Sequence, residues 1–265
     1  MQKYNSKSTY VITSEMKAKY PALCADKGSL EFAECVKQIQ RDYDLLVDGK
    51  LGLQTYSALT SDVQEHILHN SLKIPMPKSH MYDLVTYDEP NGYDLHRFGN
   101  FSKRKKPITS ICIHWGGLNA QHCYNVMGST SRKVSTHFLI DVGVVYQVLD
   151  LKYKAWHAGK HNETTIGIDI CQQASTKWKD HYDLPIIDNP TSRGDKKIIA
   201  IDDKLAETVR AFTRDLQHAM NLMNIPVPDA SGLYDPAKYT LYSHSHLTKR
   251  KWDIACWWDR IFNEN

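Results

Sequence analysis

Three segments in the second half of the chain predict β-strands, and two of them carry isoleucines with a period of two. ITSICIHW (108–115) and IGIDIC (166–171) each place isoleucines on one side, and HFLIDVGVVYQVLD (137–150) holds two apolar runs around Asp-Val-Gly. This period is that of a β-strand with one buried face, and the central turn predicts a hairpin. A sheet of this kind needs a second layer to cover its apolar face, so these segments limit the chain to folds that contain a layered sheet.

A long amphipathic helix supplies that layer. Residues 202–223 place Leu205, Val209, Phe212 and other apolar residues at spacings of three and four, and Asp202 or Asp203 can cap the helix. Strands followed by such a helix predict an α/β domain over 107–265, a mixed β-sheet flanked by helices. The length of 265 residues and a hydrophobic content of 42% suffice for a buried core.

The first part of the chain has a different pattern. Residues 30–45 have helical spacing on a face that includes Leu30 and Tyr43, and VDGKLGLQTYSAL (47–59) combines a turn with a second short helix. We therefore expect a small all-α domain over 1–70. Prolines and an Asn-Gly pair in 71–106 indicate a connector, although its aromatic residues suggest that part of it packs against a folded domain.

Charge and cysteine content exclude several classes of protein. The net charge of +3 is too small to predict nucleic-acid binding, and KRKK (103–106) is interpreted as a solvated linker. No segment reaches the roughly 18 apolar residues of a membrane span, and the N-terminus lacks the apolar region of a secretory signal. Six scattered cysteines without a CxxC pair predict free thiols in a reducing compartment.

The tail SHSHLTKRKWDIACWW (243–258) collects two histidines, a lysine and an aspartate. Far upstream, His114 ends a predicted strand and precedes Trp-Gly-Gly, at a sheet edge where a cleft can form. A single strand-end histidine is usually structural, but imidazole and carboxylate together are ligands that zinc accepts. A catalytic zinc site has three protein ligands and one open position. The tail therefore turns His114 into a candidate ligand.

Four ordered pieces of the chain resemble a known family: THFLIDVGVVYQVLD, AWHAG (155–159), IGIDI (166–170) and H-x6-K-x-D (244–253). Together they are similar to zinc-dependent N-acetylmuramoyl-L-alanine amidases, the superfamily shared with peptidoglycan recognition proteins and phage lysozyme-type amidases. The resemblance covers about 107–260. Separately, VKQIQRDYDLLVDGKLGLQTYSAL resembles the three-helix peptidoglycan-binding module, whose signature is Gln followed by DGxxGxxT and Leu.

This resemblance implies the roles of the site residues. Zinc would be held by His114, His244 and Asp253, and Lys251 would donate to the oxyanion. The spacing to Asp253 favours His244 over the alternative His246. Ile-Ala follows Asp253 where the family usually has Pro-Gly, which leaves the shape of that loop open.

The remaining roles also come from the resemblance. Asp169 stands where many members have a glutamate base, whereas the tyrosine that others use is replaced by Thr136. Asp169 is thus the expected general base, and its alternative is a strand-end aspartate that accepts backbone hydrogen bonds. His157 matches a position that lines the substrate cleft, so we expect a substrate-binding role. The alternative for His157 is a loop residue stacked on Trp156.

The expected activity is cleavage of the amide bond between the lactyl group of N-acetylmuramic acid and L-alanine. Peptidoglycan is the expected partner of a monomeric chain that neither binds nucleic acid nor inserts into a membrane. A phage endolysin, made in the host cytoplasm and acting on the cell wall after release, fits these features. A non-catalytic peptidoglycan-binding protein and a zinc peptidase acting within the stem remain alternatives. The long polar segment 172–200 is expected to flank the substrate.

Overall fold

The chain forms two compact units in the computed structural model, Met1–Glu65 and His66–Asn265. The residues that the structure describes are 2–7, 12, 16–17, 20–42, 46–52, 55–56, 65–70, 72–76, 79, 81–129, 131–191, 194–222 and 238–263. Within these parts, no helix combines the length and the apolar character that crossing a bilayer requires.

The first unit is built around one amphipathic helix. Its described elements are α1 (Gln2–Asn5), a 3-10 helix (Pro21–Cys24) and α2 (Leu30–Asp42). Helix α2 buries Phe32, Val36 and Ile39 against Leu23 and Leu51. Leu30, expected on the buried face, is 63% exposed because it is the first residue of the helix, and Tyr43 lies outside the described residues.

A buried glutamine ties α2 to the loop that follows it. The amide nitrogen of Gln40 donates to Asp48 Oδ1 (2.8 Å) and to Thr55 Oγ1 (2.9 Å), and its Oε1 accepts from the backbone of Gly49 (2.8 Å). Gly49 has a φ of +69°, a conformation that favours glycine. Gln40 thus joins Asp48, Gly49 and Thr55 of the DGxxGxxT motif in one hydrogen-bonded network.

The second unit contains a central sheet of six strands in the order β12-β5-β9-β6-β7-β3. Strands β12, β5, β9 and β6 run parallel to one another, β7 is antiparallel to β6, and β3 is parallel to β7. The strands are β1 (Glu65–His69), β2 (Leu72–Met76), β3 (Asp83–Thr86), β4 (Phe101–Lys103), β5 (Ser110–Trp115), β6 (Phe138–Asp141), β7 (Val144–Gln147), β8 (Tyr153–Ala155), β9 (Thr165–Ile170), β10 (Ile186–Asp188), β11 (Lys197–Ile199) and β12 (Leu241–Ser243). The helices are α3 (Ala120–Met127), α4 (Asp203–Ala219), α5 (His244–Leu247) and α6 (Trp258–Phe262).

One face of this sheet is covered by the long helix. Ile113, Phe138 and Ile168 belong to the same buried cluster as Val209 and Phe212 of α4. Asp202 caps α4 by accepting from the backbone of Leu205, as one of the two predicted caps. Helix α3 packs with Leu139 in a second cluster. The predicted mixed sheet flanked by helices is therefore confirmed.

The segment 71–106, expected to be a connector, contributes strands to this unit. Strand β3 pairs with β7 at one edge of the central sheet, and Tyr82 packs on Phe212 with ring centroids 5.6 Å apart. β3 has only four residues, and its parallel partner is distant in sequence, so local periodicity does not reveal it. The segment thus belongs to the fold of the second unit.

Candidate metal centre and catalytic cleft

Strand alternation decides which residues of the central sheet face the cleft. In β5 and β9 the isoleucines pack toward α4, so the intervening residues lie on the opposite face. His114 and Asp169 are among these, and the two are direct partners in the parallel β5–β9 register. Both line one cleft of about 350 Å³. The sheet therefore places an imidazole next to a carboxylate before any loop contributes.

The C-terminal residues join them through β12. This strand pairs in parallel with β5, and His244 begins α5 immediately after it, at the same end of the sheet as His114. Asp253 lies in a turn with a φ of +26°, a left-handed conformation that aspartate tolerates better than most residues. The structure thus brings the three residues expected from the resemblance to one place.

The geometry of this group is compact. Asp253 Oδ2 lies 3.5 Å from His114 Nδ1 and 3.4 Å from His244 Nδ1. The two imidazole rings are 4.9 Å apart and almost perpendicular. The ligand atoms of all three residues lie within 4.8 Å of one another. Side chains so arranged can direct two nitrogens and one oxygen toward a common point.

The donors of this group suit a metal ion. Asp253 Oδ2 is buried and, among the residues that the structure describes, has no hydrogen-bond partner. A buried carboxylate oxygen without a partner is costly unless a cation compensates it. Two imidazoles and one carboxylate form a ligand set that catalytic zinc sites use. The residues present therefore fit a zinc ion.

The electrostatics of the cluster favour a positive charge beside Asp253. Burial lowers the pKa of His244 to about 4, and the neighbouring His114 contributes to this shift. Burial also opposes protonation of His114, but Cys112 and Asp253 outweigh it and hold the pKa of His114 well above its ordinary value. The cluster thus keeps His244 neutral and favours a positive charge on His114, next to Asp253.

His246 has a different environment from His244. Its side chain is completely buried, its Nδ1 accepts from the backbone of Ser243 (3.0 Å), and its ring packs on Trp258 at 4.7 Å. Because these contacts turn the imidazole into the core, only His244 of the two histidines lines the cleft.

Asp169 carries the second carboxylate of the cleft. Burial raises the pKa of Asp169 to about 6; His114 opposes the shift and Asp253 adds to it. A methyl group on Gly116 would lie 3.0 Å from Asp169 Oδ2, so the glycine allows the loop after β5 to pass close to the carboxylate. Among the described residues, none donates a hydrogen bond to this carboxylate, whereas the alternative interpretation of Asp169 requires backbone donors.

The rim of the cleft supplies charge and aromatic surface. Lys251 is exposed and lines the same cleft as the candidate ligands, two residues before Asp253. Trp115, Trp156 and Arg132 also line it. Of the segment 172–200, Gln173 reaches the cleft and donates to the backbone of Gly116. The cleft thus combines aromatic rings with the two cationic side chains of Arg132 and Lys251.

His157 borders the cleft, as expected, and it also contacts the candidate ligand His114, a contact that sequence reasoning did not predict. Its Nδ1 is 3.0 Å from His114 Nε2, and its Nε2 is 3.2 Å from Thr165 Oγ1. Burial, together with the neighbouring His114, lowers the pKa of His157 well below its ordinary value. Both ring nitrogens are therefore engaged within the protein, although the ring also borders the cleft.

Sequence reasoning also missed Cys112. Its thiol, with His114 and His157, forms a second group whose ligand atoms lie within 4.8 Å of one another. The signal was present, because strand alternation places Cys112 on the same face as His114. Cys112 is fully buried, whereas the group containing Asp253 opens to the cleft.

The chain is similar to one protein family over more than half of its length. A profile described as N-acetylmuramoyl-L-alanine amidase matches residues 104–255, which include all the candidate site residues. No curated protein matches the sequence.

Several solved structures are also similar. The catalytic domain of XlyA has 18% identity and a TM-score of 0.40, covering 68% of this chain and 96% of that one. LysCS, an endolysin N-acetylmuramoyl-L-alanine amidase from Clostridium intestinale URNW, has 15% identity and a TM-score of 0.35, covering 64% of this chain and 86% of that one. The Ph2119 endolysin from Thermus scotoductus MAT2119 bacteriophage Ph2119 has 14% identity and a TM-score of 0.36, covering 63% of this chain and 88% of that one. These likenesses are distant, so the functional assignment depends on the family match.

Proposed function

The chain belongs to the N-acetylmuramoyl-L-alanine amidase family, and from this membership we propose that its cleft hydrolyses the bond between the lactyl group of N-acetylmuramic acid and L-alanine of the peptidoglycan stem. The chain is accordingly a peptidoglycan hydrolase. The observation that carries the proposal is the buried Asp253 Oδ2, which lies 3.5 Å and 3.4 Å from the imidazoles of His114 and His244.

Zinc is the proposed cofactor of this site. His114 and His244 would hold it through Nδ1, and Asp253 would hold it through a carboxylate oxygen, since these atoms face one another. A bound zinc ion supplies Lewis acidity, which polarises a carbonyl and makes water more acidic. Three protein ligands leave one position for the reacting groups.

The side chains around the site would perform the proton transfers. Asp169 removes a proton from the attacking water, a role that suits a carboxylate with a pKa of about 6 because it is largely ionised at neutral pH. Lys251 donates to the oxyanion of the tetrahedral intermediate. The protonated Asp169 then returns its proton to the nitrogen of L-alanine, and the glycan and the peptide separate.

The first unit would hold the enzyme on its insoluble substrate. Its network of Gln40, Asp48, Gly49 and Thr55 contains the motif residues that resemble a peptidoglycan-binding module. A second point of attachment raises the effective concentration of the cleft near the polymer. With this module the chain would act as a phage endolysin that reaches the wall from the host cytoplasm and works there as a monomer.

Digestion of purified sacculi tests the proposed activity. Mass spectrometry is expected to find muropeptides with a free lactyl carboxylate, together with stem peptides that begin with L-alanine. New termini inside the stem would identify a peptidase instead, and a bound chain that releases no product would identify a recognition protein. The His114→Ala variant, digested in parallel, controls for contaminating hydrolases.

A further inference from the structure

The imidazole of His157 is held between His114 and Thr165. Its Nδ1 lies 3.0 Å from His114 Nε2 on one side, and its Nε2 lies 3.2 Å from Thr165 Oγ1 on the other. The rings of His114 and His157 are nearly perpendicular, at 87°. This arrangement links a candidate metal ligand to a strand residue through a second imidazole.

The direction of these hydrogen bonds follows from the threonine. Thr165 Oγ1 donates its single hydrogen to the backbone carbonyl of His161 (2.9 Å). The hydroxyl can therefore only accept from His157, so the proton of the neutral His157 ring is on Nε2. The unprotonated Nδ1 of His157 then accepts from His114 Nε2. In the neutral form that binds a metal, the lone pair of His114 is therefore on Nδ1, the nitrogen that faces Asp253.

We infer that His157 is a positioning residue, which fixes the tautomer and the ring orientation of His114 so that Nδ1 is presented to the metal. The inference rests on the proposed zinc site of His114, His244 and Asp253. It replaces the expected substrate contact of His157, since neither ring nitrogen is left for a substrate. Residues that orient a metal-bound histidine in this way typically change metal affinity by about 10- to 100-fold when mutated.

Gly167 makes room for this arrangement. A methyl group built on Gly167 would lie 2.7 Å from Cγ of His157, so the imidazole occupies the space that a side chain would fill on β9. Because Gly167 is two residues before Asp169 on the same face of that strand, His157 lies directly under the cleft. The space that Gly167 leaves on β9 therefore contributes to the position of the ring.

Zinc affinity, measured by competition with a chromophoric chelator, tests the inference independently of activity. The His157→Phe variant keeps a ring but removes the acceptor, and it is expected to bind zinc about 10- to 100-fold more weakly. The His157→Asn variant retains an acceptor close to Nδ1 and is expected to recover most of the affinity. Unaltered affinity in His157→Phe, or equal losses in both variants, would overturn the inference.

A second matched pair tests the direction of the hydrogen bonds. The Thr165→Val variant removes the hydroxyl and is expected to weaken zinc binding, whereas Thr165→Ser retains it and binds as the unaltered chain does. This pair tests the inference even if His157→Phe fails to fold. Equal zinc affinities of Thr165→Val and Thr165→Ser would refute the proposed role of the hydrogen bond between His157 and Thr165. Nitrogen NMR of the zinc-loaded chain is expected to show the proton of His114 on Nε2, and a proton on Nδ1 would also refute it.

The Asp253→Asn variant separates this inference from the proposed site. If Asp253→Asn binds zinc as tightly as the unaltered chain, the zinc site itself is wrong. If Asp253→Asn loses zinc while His157→Phe does not, the site stands and only the positioning role of His157 fails.

Discussion

His114 and Asp169 lie directly opposite each other on the parallel strands β5 and β9, and both side chains border the same cleft. One residue is a candidate metal ligand, and the other is a carboxylate that accepts no hydrogen bond from the described residues. Because adjacent strands of a sheet are about 4.8 Å apart, a water molecule bound near His114 would lie within reach of Asp169. This pairing supports the assignment of Asp169 as the base.

Replacing Asp169 with asparagine is expected to lower kcat by about 10²- to 10⁴-fold, since the amide cannot take up a proton. Zinc content, measured by elemental analysis, should stay unchanged because Asp169 is outside the proposed ligand set. Asp169→Glu is the matched control and should retain measurable turnover. Loss of zinc from Asp169→Asn would instead make the residue a ligand.

Asp253→Asn is expected to reduce bound zinc to a small fraction after dialysis, because an amide oxygen is a much weaker ligand than a carboxylate. Asparagine also tolerates the φ of +26° at this position, which limits effects on folding. Cys112→Ala is the control, since Cys112 belongs to the alternative group with His114 and His157. Zinc loss from Cys112→Ala rather than from Asp253→Asn would move the metal to that buried group.

Lys251→Met removes the ammonium group while keeping a long side chain. If Lys251 donates to the oxyanion, kcat should fall by about 10²- to 10³-fold, with little change in zinc affinity. The measurement is release of muropeptides under substrate saturation. Lys251→Arg, which keeps a donor, should fall less, and equal activities of the Met variant and the unaltered chain would remove Lys251 from the mechanism.

His137 predicts how stability responds to acid. It is completely buried, and burial, with Arg104 nearby, lowers its pKa from 6.5 to about 3. Its contribution to stability is therefore fully present above pH 6.5 and is lost as the pH falls toward 3, because only the unfolded chain binds the proton in that window.

The His137→Gln variant isolates this contribution. Below the ordinary histidine pKa, the difference in unfolding free energy between the unaltered chain and the variant should narrow by up to about 1.4 kcal/mol for each pH unit. Urea unfolding at several pH values measures it, and comparison with one variant cancels the contributions of other histidines. A difference that does not depend on pH would contradict the prediction.

Gln40→Leu should destabilise the first unit. The substitution leaves the backbone N–H of Gly49 and the side chains of Asp48 and Thr55 without the bonds that Gln40 makes. The Gly49 N–H and the Thr55 hydroxyl are buried, and each buried polar group left without a partner costs about 1–3 kcal/mol. Thermal unfolding of the first unit should occur at a lower temperature, and zinc binding by the second unit should be unchanged. Gln40→Glu, which keeps the acceptor, is the milder control.

Local pattern was enough to predict much of the second unit. The isoleucine alternation of β5 and β9, the hairpin of β6 and β7 and the amphipathic spacing of α4 are all present in the structure. Gly143, in the predicted turn, has a φ of +73°. These elements were predictable because burial of one face leaves a period of 2 or 3.6 in neighbouring residues. The candidate site residues, in contrast, came from the resemblance to a known family and not from periodicity.

Contacts between distant segments could be decided only by the tertiary structure. Three such contacts produce no periodic pattern in the sequence. They are the pairing of β3 with β7, the packing of His246 on Trp258 and the position of His157 between His114 and Thr165. Sequence alone therefore determined the elements and the kinds of side chain available for catalysis. Which of these side chains converge, and through which atoms, depends on packing between strands and loops that are far apart in the chain.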